Sequence, residues 1–337
     1  MKDKSIAVIS FDLQKQLSCP KSESSAMYYF SKLNVYNFTI FNHVERMGNC
    51  YLWHEGIGKK GSSEISSSLL QYIQELVAKG HTDLRFYSDN CGGQNKNRFL
   101  YSMYVFVCVK YKIKITHRYL EPGHTQMEVD NIHGNIERAT EKSDLYDFDD
   151  WVHAIEETKQ ELPMYQVKKL TQKSIFSFRE LVPMQNWVVD MQRRKIPWSK
   201  VKEIFINGTE GSMVRLKYDY SSVSYISMST NKGGRPVNLN NYKPPLAYNT
   251  NIPLSANTVH GITKLLNGNH VPLQKQTFLR NVLQGINSVE EDDVSEIEYD
   301  SDEDEEDYEF DEQNREEDEE GGGESDEENE DDPNEDD

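Results

Sequence analysis

Cysteine is scarce in this chain and never closely paired. Cys19, Cys50, Cys91 and Cys108 form no Cys-x-x-Cys, which argues against a zinc ribbon or a thioredoxin-type site and fits a reducing, intracellular compartment. Long apolar runs are also missing. The longest, Tyr104–Val109, is too short to span a bilayer, and no signal-type segment opens the chain, so no membrane partner is expected. Basic residues are nearly absent from the end: Val289–Asp337 holds one Arg against 31 Asp and Glu, a net of −30. The overall net charge of −20 therefore hides a body, residues 1–288, with 36 Lys and Arg against 26 acids, a net of +10. A mildly basic body suits a polyanionic partner such as nucleic acid. The tail, broken by Gly321–Gly323, has too little apolar surface to fold and is expected to be disordered. It reads as a solubilising run first, and second as a handle for basic partners or a competitor for the basic surface.

The 337 residues suffice for one or two domains with a real core. Residues 5–13 read as a strand and polar 18–26 as a loop. Val35–Phe41 alternates like a strand, and Cys50–His54 follows as another after a Gly48-Asn49 turn. Ser62-Ser63-Glu64 precedes Ile65, Leu69, Leu70, Ile73, Leu76 and Val77, an amphipathic helix closed by Gly80. Leu84–Tyr87 is a strand, Arg98–Lys110 a helix or buried apolar segment, Ile113–Leu120 a strand and 127–140 a helix. The order β-β-β-α-β-α-β-α predicts an α/β fold of the ribonuclease-H-like kind, a mixed sheet in residues 1–150. Residues 151–230 read as a helix, stopped by Pro163, plus a smaller α+β unit with strands at Met213–Tyr218 and Val223–Met228 and a short helix or turn at Pro197–Lys202. Residues 231–288 read as a linker and short helices around Pro272, and 289–337 as the acidic tail. No internal repeat is present.

Four stretches concentrate acids and amides: Ser10–Gln14, Tyr87–Asn97, Gly123–Gln126 and Asp130–Glu137. The first two set an Asp at or just past a strand end; the last opens a helix. Carboxylates gathered at strand ends form an oxygen-rich pocket suited to hard divalent cations, here Mg2+ or Mn2+. Phosphodiester chemistry with two metals, roughly 3.5–4 Å apart, needs acids that bridge and flank the ions. Asp12 is the expected bridging ligand, Asp89 the second and Asp130 the third. Glu137 is the alternative third acid, two helical turns on and about 10 Å away. His124, after Pro122-Gly123, is a candidate to contact phosphate or move a proton, while His133 is expected to be a solvated or core histidine. Asn90, Gln94, Asn95 and Lys96 are candidate substrate contacts; the plainer reading makes the amides helix caps and surface polars. Each Asp alone is more often a turn or cap residue, so the case rests on all three falling at matching points of one element order.

These stretches resemble the uncharacterised transposon-derived proteins of animal genomes. The resemblance rests on Phe11–Gln14, Ser88–Asn95 and Gly123–Thr125 with Asp130 and Glu137, and on Trp53–Glu55 and Gly61–Ile65. It covers roughly residues 5–285 and implies the catalytic core of a DDE-type transposase, an integrase-like member of the ribonuclease-H superfamily acting on DNA in the nucleus. Self-association is compatible with that class. Such enzymes carry a DNA-end-binding module, usually before the core. Here the first strand starts within a few residues of Met1, so a truncated copy or domesticated remnant is expected. Two other readings stay open: a non-catalytic nucleic-acid or chromatin interaction protein, and a metallophosphoesterase suggested by Gly123-His124 and His133–Asn135. The last lacks an Asp-x-His after the first strand, which here reads Asp12-Leu13-Gln14.

Overall fold

The computed structural model describes residues 5–121 and 126–287. His124 and the acidic tail lie outside the described residues. The protein is a mixed α/β structure built on one ten-stranded sheet. Its strands are β1 (Ile6–Leu13), β2 (Leu17–Cys19), β3 (Leu33–Asn42), β4 (Met47–His54), β5 (Asp83–Ser88), β6 (Lys114–Tyr119), β7 (Met164–Lys169), β8 (Glu203–Asn207), β9 (Met213–Lys217) and β10 (Ile226–Ser229). The helices are α1 (Ala26–Tyr29), α2 (Ser62–Ala78), α3 (Gly92–Asn95), α4 (Arg98–Tyr111), α5 (Glu128–Thr140), α6 (Phe148–Thr158), α7 (Ala256–Asn267) and α8 (Gln276–Asn287).

Strands lie in the order β10-β9-β8-β6-β5-β1-β3-β4-β7, with β2 paired to β3. β1 pairs antiparallel with β3 and parallel with β5, and β5 pairs parallel with β6. β1 is therefore central. Strand residues alternate between faces, and the two faces feed two cores. Ala7, Ile9 and Phe11 of β1 pack with Ile65, Leu69 and Ile73 of α2 and with α4. On the opposite face, Val35 of β3 and Cys50 and Leu52 of β4 pack with Val129, Ile132 and Ile136 of α5 and with α6 and α7. Asp12, next to Phe11 in β1, thus belongs to the face that α5 covers.

The segment 98–110, which periodicity leaves open between helix and buried run, is helical. Asn97 Oδ1 accepts the Leu100 N–H at 2.9 Å and fixes its start. It is apolar all round because it lies between the sheet and a second layer: Tyr101 stacks on Trp198, and Phe106 meets Phe178 and Tyr242. α2 ends as expected at Gly80, which takes φ +89°. Within the stretch expected as loop, β2 pairs antiparallel with β3.

Within residues 151–230 the expected helix is present as α6 and two expected strands as β9 and β10, and the strands extend the same sheet at both edges. β7 pairs parallel with β4, and β8 pairs antiparallel with β6, leading on to β9 and β10. A buried carboxylate helps hold the second junction. Glu203 of β8 is 2% exposed and accepts from Arg118 Nε of β6 and from Tyr225. Within 231–288, α7 and α8 return to the face shared by α5 and α6 and contribute Ile262, Leu265 and Leu279 to its core. Among the described residues no helix is long and apolar enough to cross a membrane.

Candidate metal centre

β1 and β5 run parallel in a register that pairs Ser10 with Tyr87. Continuing it by two residues brings Asp12 beside Asp89, the residue just after β5. Both acids therefore stand at the carboxyl ends of adjacent central strands. α5 delivers Asp130 and His133 from above. They are three residues apart, one helical turn, and so share a face. One ligand atom each from Asp12, Asp130 and His133 lie within 4.8 Å of one another.

The electrostatics of this group are unfavourable without a counter-ion. Burial, then the charge of Asp89 and, less, that of Asp130 push the Asp12 carboxyl up from 3.8 to about 7; a hydrogen bond from the Leu13 backbone and, more weakly, Lys60 oppose this. Burial pushes His133 down to about 4, so its imidazole is neutral near pH 7, the form that binds metals. The His133 Nε2 is buried and has no hydrogen-bond partner among the described residues. Carboxylate oxygens, a neutral ring nitrogen without a partner, and like charges drawn close make a donor set that fits a divalent cation.

The remaining groups hold these residues in place. Gln14 is buried at the end of β1. Its Nε2 donates to the His133 carbonyl at 3.4 Å, and its Oε1 accepts from Asn37 Nδ2 of β3 at 2.9 Å. It thereby ties the turn of α5 that bears His133 to the strand that bears Asp12. Asp130 Oδ2 accepts the Met127 N–H at 2.6 Å, capping α5. Asp89 Oδ1 accepts from the Cys91 N–H at 3.2 Å and from Asn95 Nδ2. Cys91 lies close enough that burial and the charges of Asp89 and Asp12 raise its thiol.

Of the residues expected to contact substrate, Gln94 is half-buried on α3 and Asn90 half-buried before it. Asn95 is 1% exposed and bound to Asp89. Lys96 is also buried. Its ammonium donates to Asn90 Oδ1 at 2.7 Å and to the Ser199 carbonyl at 2.8 Å, and lies over the Tyr119 ring. These last two brace the Asp89 loop from inside rather than line its surface. Glu137 is exposed, one turn beyond His133, and is not part of the group. His133, read from sequence as solvated or core, is the residue that the structure adds. Its spacing from Asp130 was the signal available. A further polar pair shares the α5-covered face of β1: Ser10 Oγ lies 3.0 Å from His43 Nε2, itself 3.8 Å from Glu128.

Residues 26–203 match a family described as a domain of unknown function (DUF7869), and the chain belongs to that family. Asp89, Asp130 and His133 fall inside the matched segment, and Asp12 precedes it. No curated protein and no solved structure matches the chain.

Proposed function

We propose that this protein is a transposon-derived domain of the ribonuclease-H-like, DDE-transposase type that processes DNA phosphodiesters with divalent cations. The observation that carries the reading is the meeting of Asp12 and Asp89 at the ends of adjacent parallel strands, with Asp130 supplied by α5. The central order β4-β3-β1-β5-β6, in which β3 alone runs against the other four, supports the fold assignment. Asp12 interacts electrostatically with both Asp89 and Asp130, as a bridging carboxylate must. Asp12, Asp130 and His133 would hold one cation, and Asp89 would flank it. A divalent cation held there supplies Lewis-acid charge to a phosphodiester oxygen. The protein's own part is to position. Gln14 locks α5 onto β1, the Cys91 N–H and Asn95 fix the Asp89 carboxylate, and the net +10 of residues 1–288 draws in a polyanion.

The test is nicking of supercoiled plasmid in Mg2+ or Mn2+. Asp12→Asn and Asp89→Asn should each slow it by a factor on the order of 10²–10⁴, the range for losing a positioned catalytic group. An inactive wild-type protein in both cations, or an Asp12→Asn protein as fast as wild type, sinks the catalytic reading. One observation favours a second reading, a non-catalytic nucleic-acid interaction protein. The three acids already accept hydrogen bonds, Asp12 from the Leu13 backbone, Asp89 from its loop and Asp130 from its helix start. Salt-dependent DNA binding unchanged by Asp12→Asn, with no heat on adding cations, would select that reading.

A further inference from the structure

The Asp12–Asp130–His133 group mixes two ligand chemistries, and the mixture bears on which cation it takes. We propose that His133 is a direct nitrogen ligand, so that this position selects borderline divalent cations of the Co2+ and Zn2+ kind, and to a lesser degree Mn2+, over Mg2+ and Ca2+. The proposal rests on the reading of the site as a cation centre but not on DNA as substrate.

Three observations support it. The first is distance. Ligand atoms of all three residues lie within 4.8 Å of one another. Three ligands of one cation with bonds of roughly 2.0–2.2 Å lie about 3–4 Å from one another, so side-chain shifts of no more than about 1–2 Å close the group. The second is the orphaned nitrogen. His133 is 8% exposed, and its Nε2 is buried without a partner among the described residues. A buried polar atom left unpaired is costly, and a cation in a carboxylate-lined group is a partner that removes the cost. His54 Nδ1 and His81 Nδ1 also lack a partner among the described residues, but neither belongs to a group of donors at ligating distance. His117 is bonded through both nitrogens, to Ser88 and Tyr104, and the His54 ring lies against Phe148 and Phe278. Among the described residues, the group with His133 is the one set of three donors at ligating distance. The third is preorganisation. Gln14 bonds to the His133 carbonyl and to Asn37, fixing the turn of α5 against the end of β1 before any cation arrives.

The selectivity follows from ligand type. Imidazole nitrogen suits Fe2+ through Zn2+ best; Mn2+ prefers oxygen but accepts a ring nitrogen, whereas Mg2+ and Ca2+ take oxygen ligands and gain little from one. Two carboxylates and one neutral imidazole also balance a single divalent charge. Asp89, with Oδ1 held by the Cys91 N–H and Asn95, interacts with Asp12 but lies outside the three-donor group.

The experiment is electron spin-echo envelope modulation on the Mn2+ complex of the full-length protein, with calorimetric titration of Mn2+, Zn2+ and Mg2+. The wild-type complex should show nitrogen-14 modulation from one imidazole. His133→Ala should lose it and weaken Mn2+ binding at least about tenfold, since even outer-sphere partners of a metal typically cost ~10–100-fold. Mg2+ binding should change less than about twofold, because oxygen ligands dominate it. A wild-type Mn2+ complex without nitrogen modulation overturns the proposal, and so does a loss of Mg2+ affinity equal to that of Mn2+. If His133→Ala fails to fold, the wild-type spectrum decides alone. Nitrogen modulation without plasmid nicking rejects the DNA reading only. Metal-dependent nicking without modulation rejects the nitrogen ligand only.

Discussion

The Asp12 carboxyl sits where burial and two neighbouring acids all oppose its charge. That conflict has a sign that stability measurements can read. The folded protein holds the proton up to about pH 7, while the unfolded chain releases it near 3.8. Between those values the folded state binds more protons, so stability falls as pH rises. The contribution is full below about pH 4, lost across about pH 4–7 and flat above, and its size is roughly 4 kcal/mol. Urea unfolding in chelator should therefore show the wild-type protein losing stability from pH 5 to pH 8, and Asp12→Asn should flatten that slope. Saturating divalent cation should flatten it too, because the cation binds the ionised form and stabilises the fold by mass action. A wild-type slope unchanged by Asp12→Asn would remove Asp12 as its source.

Two glycines make opposite predictions at the level of elements. Gly208 follows β8 where the chain crosses the end of α4, and a Cβ there would lie 1.7 Å from the Cys108 carbonyl oxygen. Backbone cannot give way as a side chain does, so Gly208→Ala should destabilise by about 3 kcal/mol or more. Gly134 lies inside α5, one residue after His133, and a Cβ there meets nothing within 4 Å. Gly134→Ala should stabilise by roughly 0.5–1 kcal/mol, because alanine loses less backbone freedom in a helix. Urea midpoints of the two variants should move in opposite directions; a neutral Gly208→Ala would mean the α4–β8 junction is looser than described. The elements themselves were unevenly legible. α2, with its start signal, amphipathic spacing and closing glycine, was complete in the sequence. β7 and β8 were not read as strands, because Met164–Lys169 and Glu203–Asn207 are short and become strands by pairing with β4 and β6, which lie far away in sequence.

Charge separates along the whole molecule: +10 on residues 1–288 and −30 on 289–337. A tethered polyanion competes for a basic surface at high effective concentration. DNA binding by the full-length protein should therefore be weaker than binding by a chain ending at residue 288. The difference should shrink as salt shortens the screening length to about 8 Å near physiological ionic strength. The salt slope of each affinity reports how many phosphates are contacted. Fluorescence anisotropy on both proteins checks this. Equal affinities at low salt would remove the competition, and no binding by residues 1–288 would weaken the DNA reading as well.

The sequence by itself determined the division of charge, the alternation of the central strands and helices, and the placing of Asp12 and Asp89 at strand ends. These are local properties, carried by periods of two and 3.6 residues and by turn chemistry a few residues long. Tertiary structure decided that β7–β10 lengthen the central sheet, and that Asn95 and Lys96 brace the Asp89 loop internally. It also made His133 a partner of Asp12. That last assignment depends on Gln14 reaching the His133 carbonyl across 119 residues and on α5 lying over the end of β1. A histidine's spacing in a helix says which face it shares, but only the packing of that face says whether it meets apolar side chains or two carboxylates.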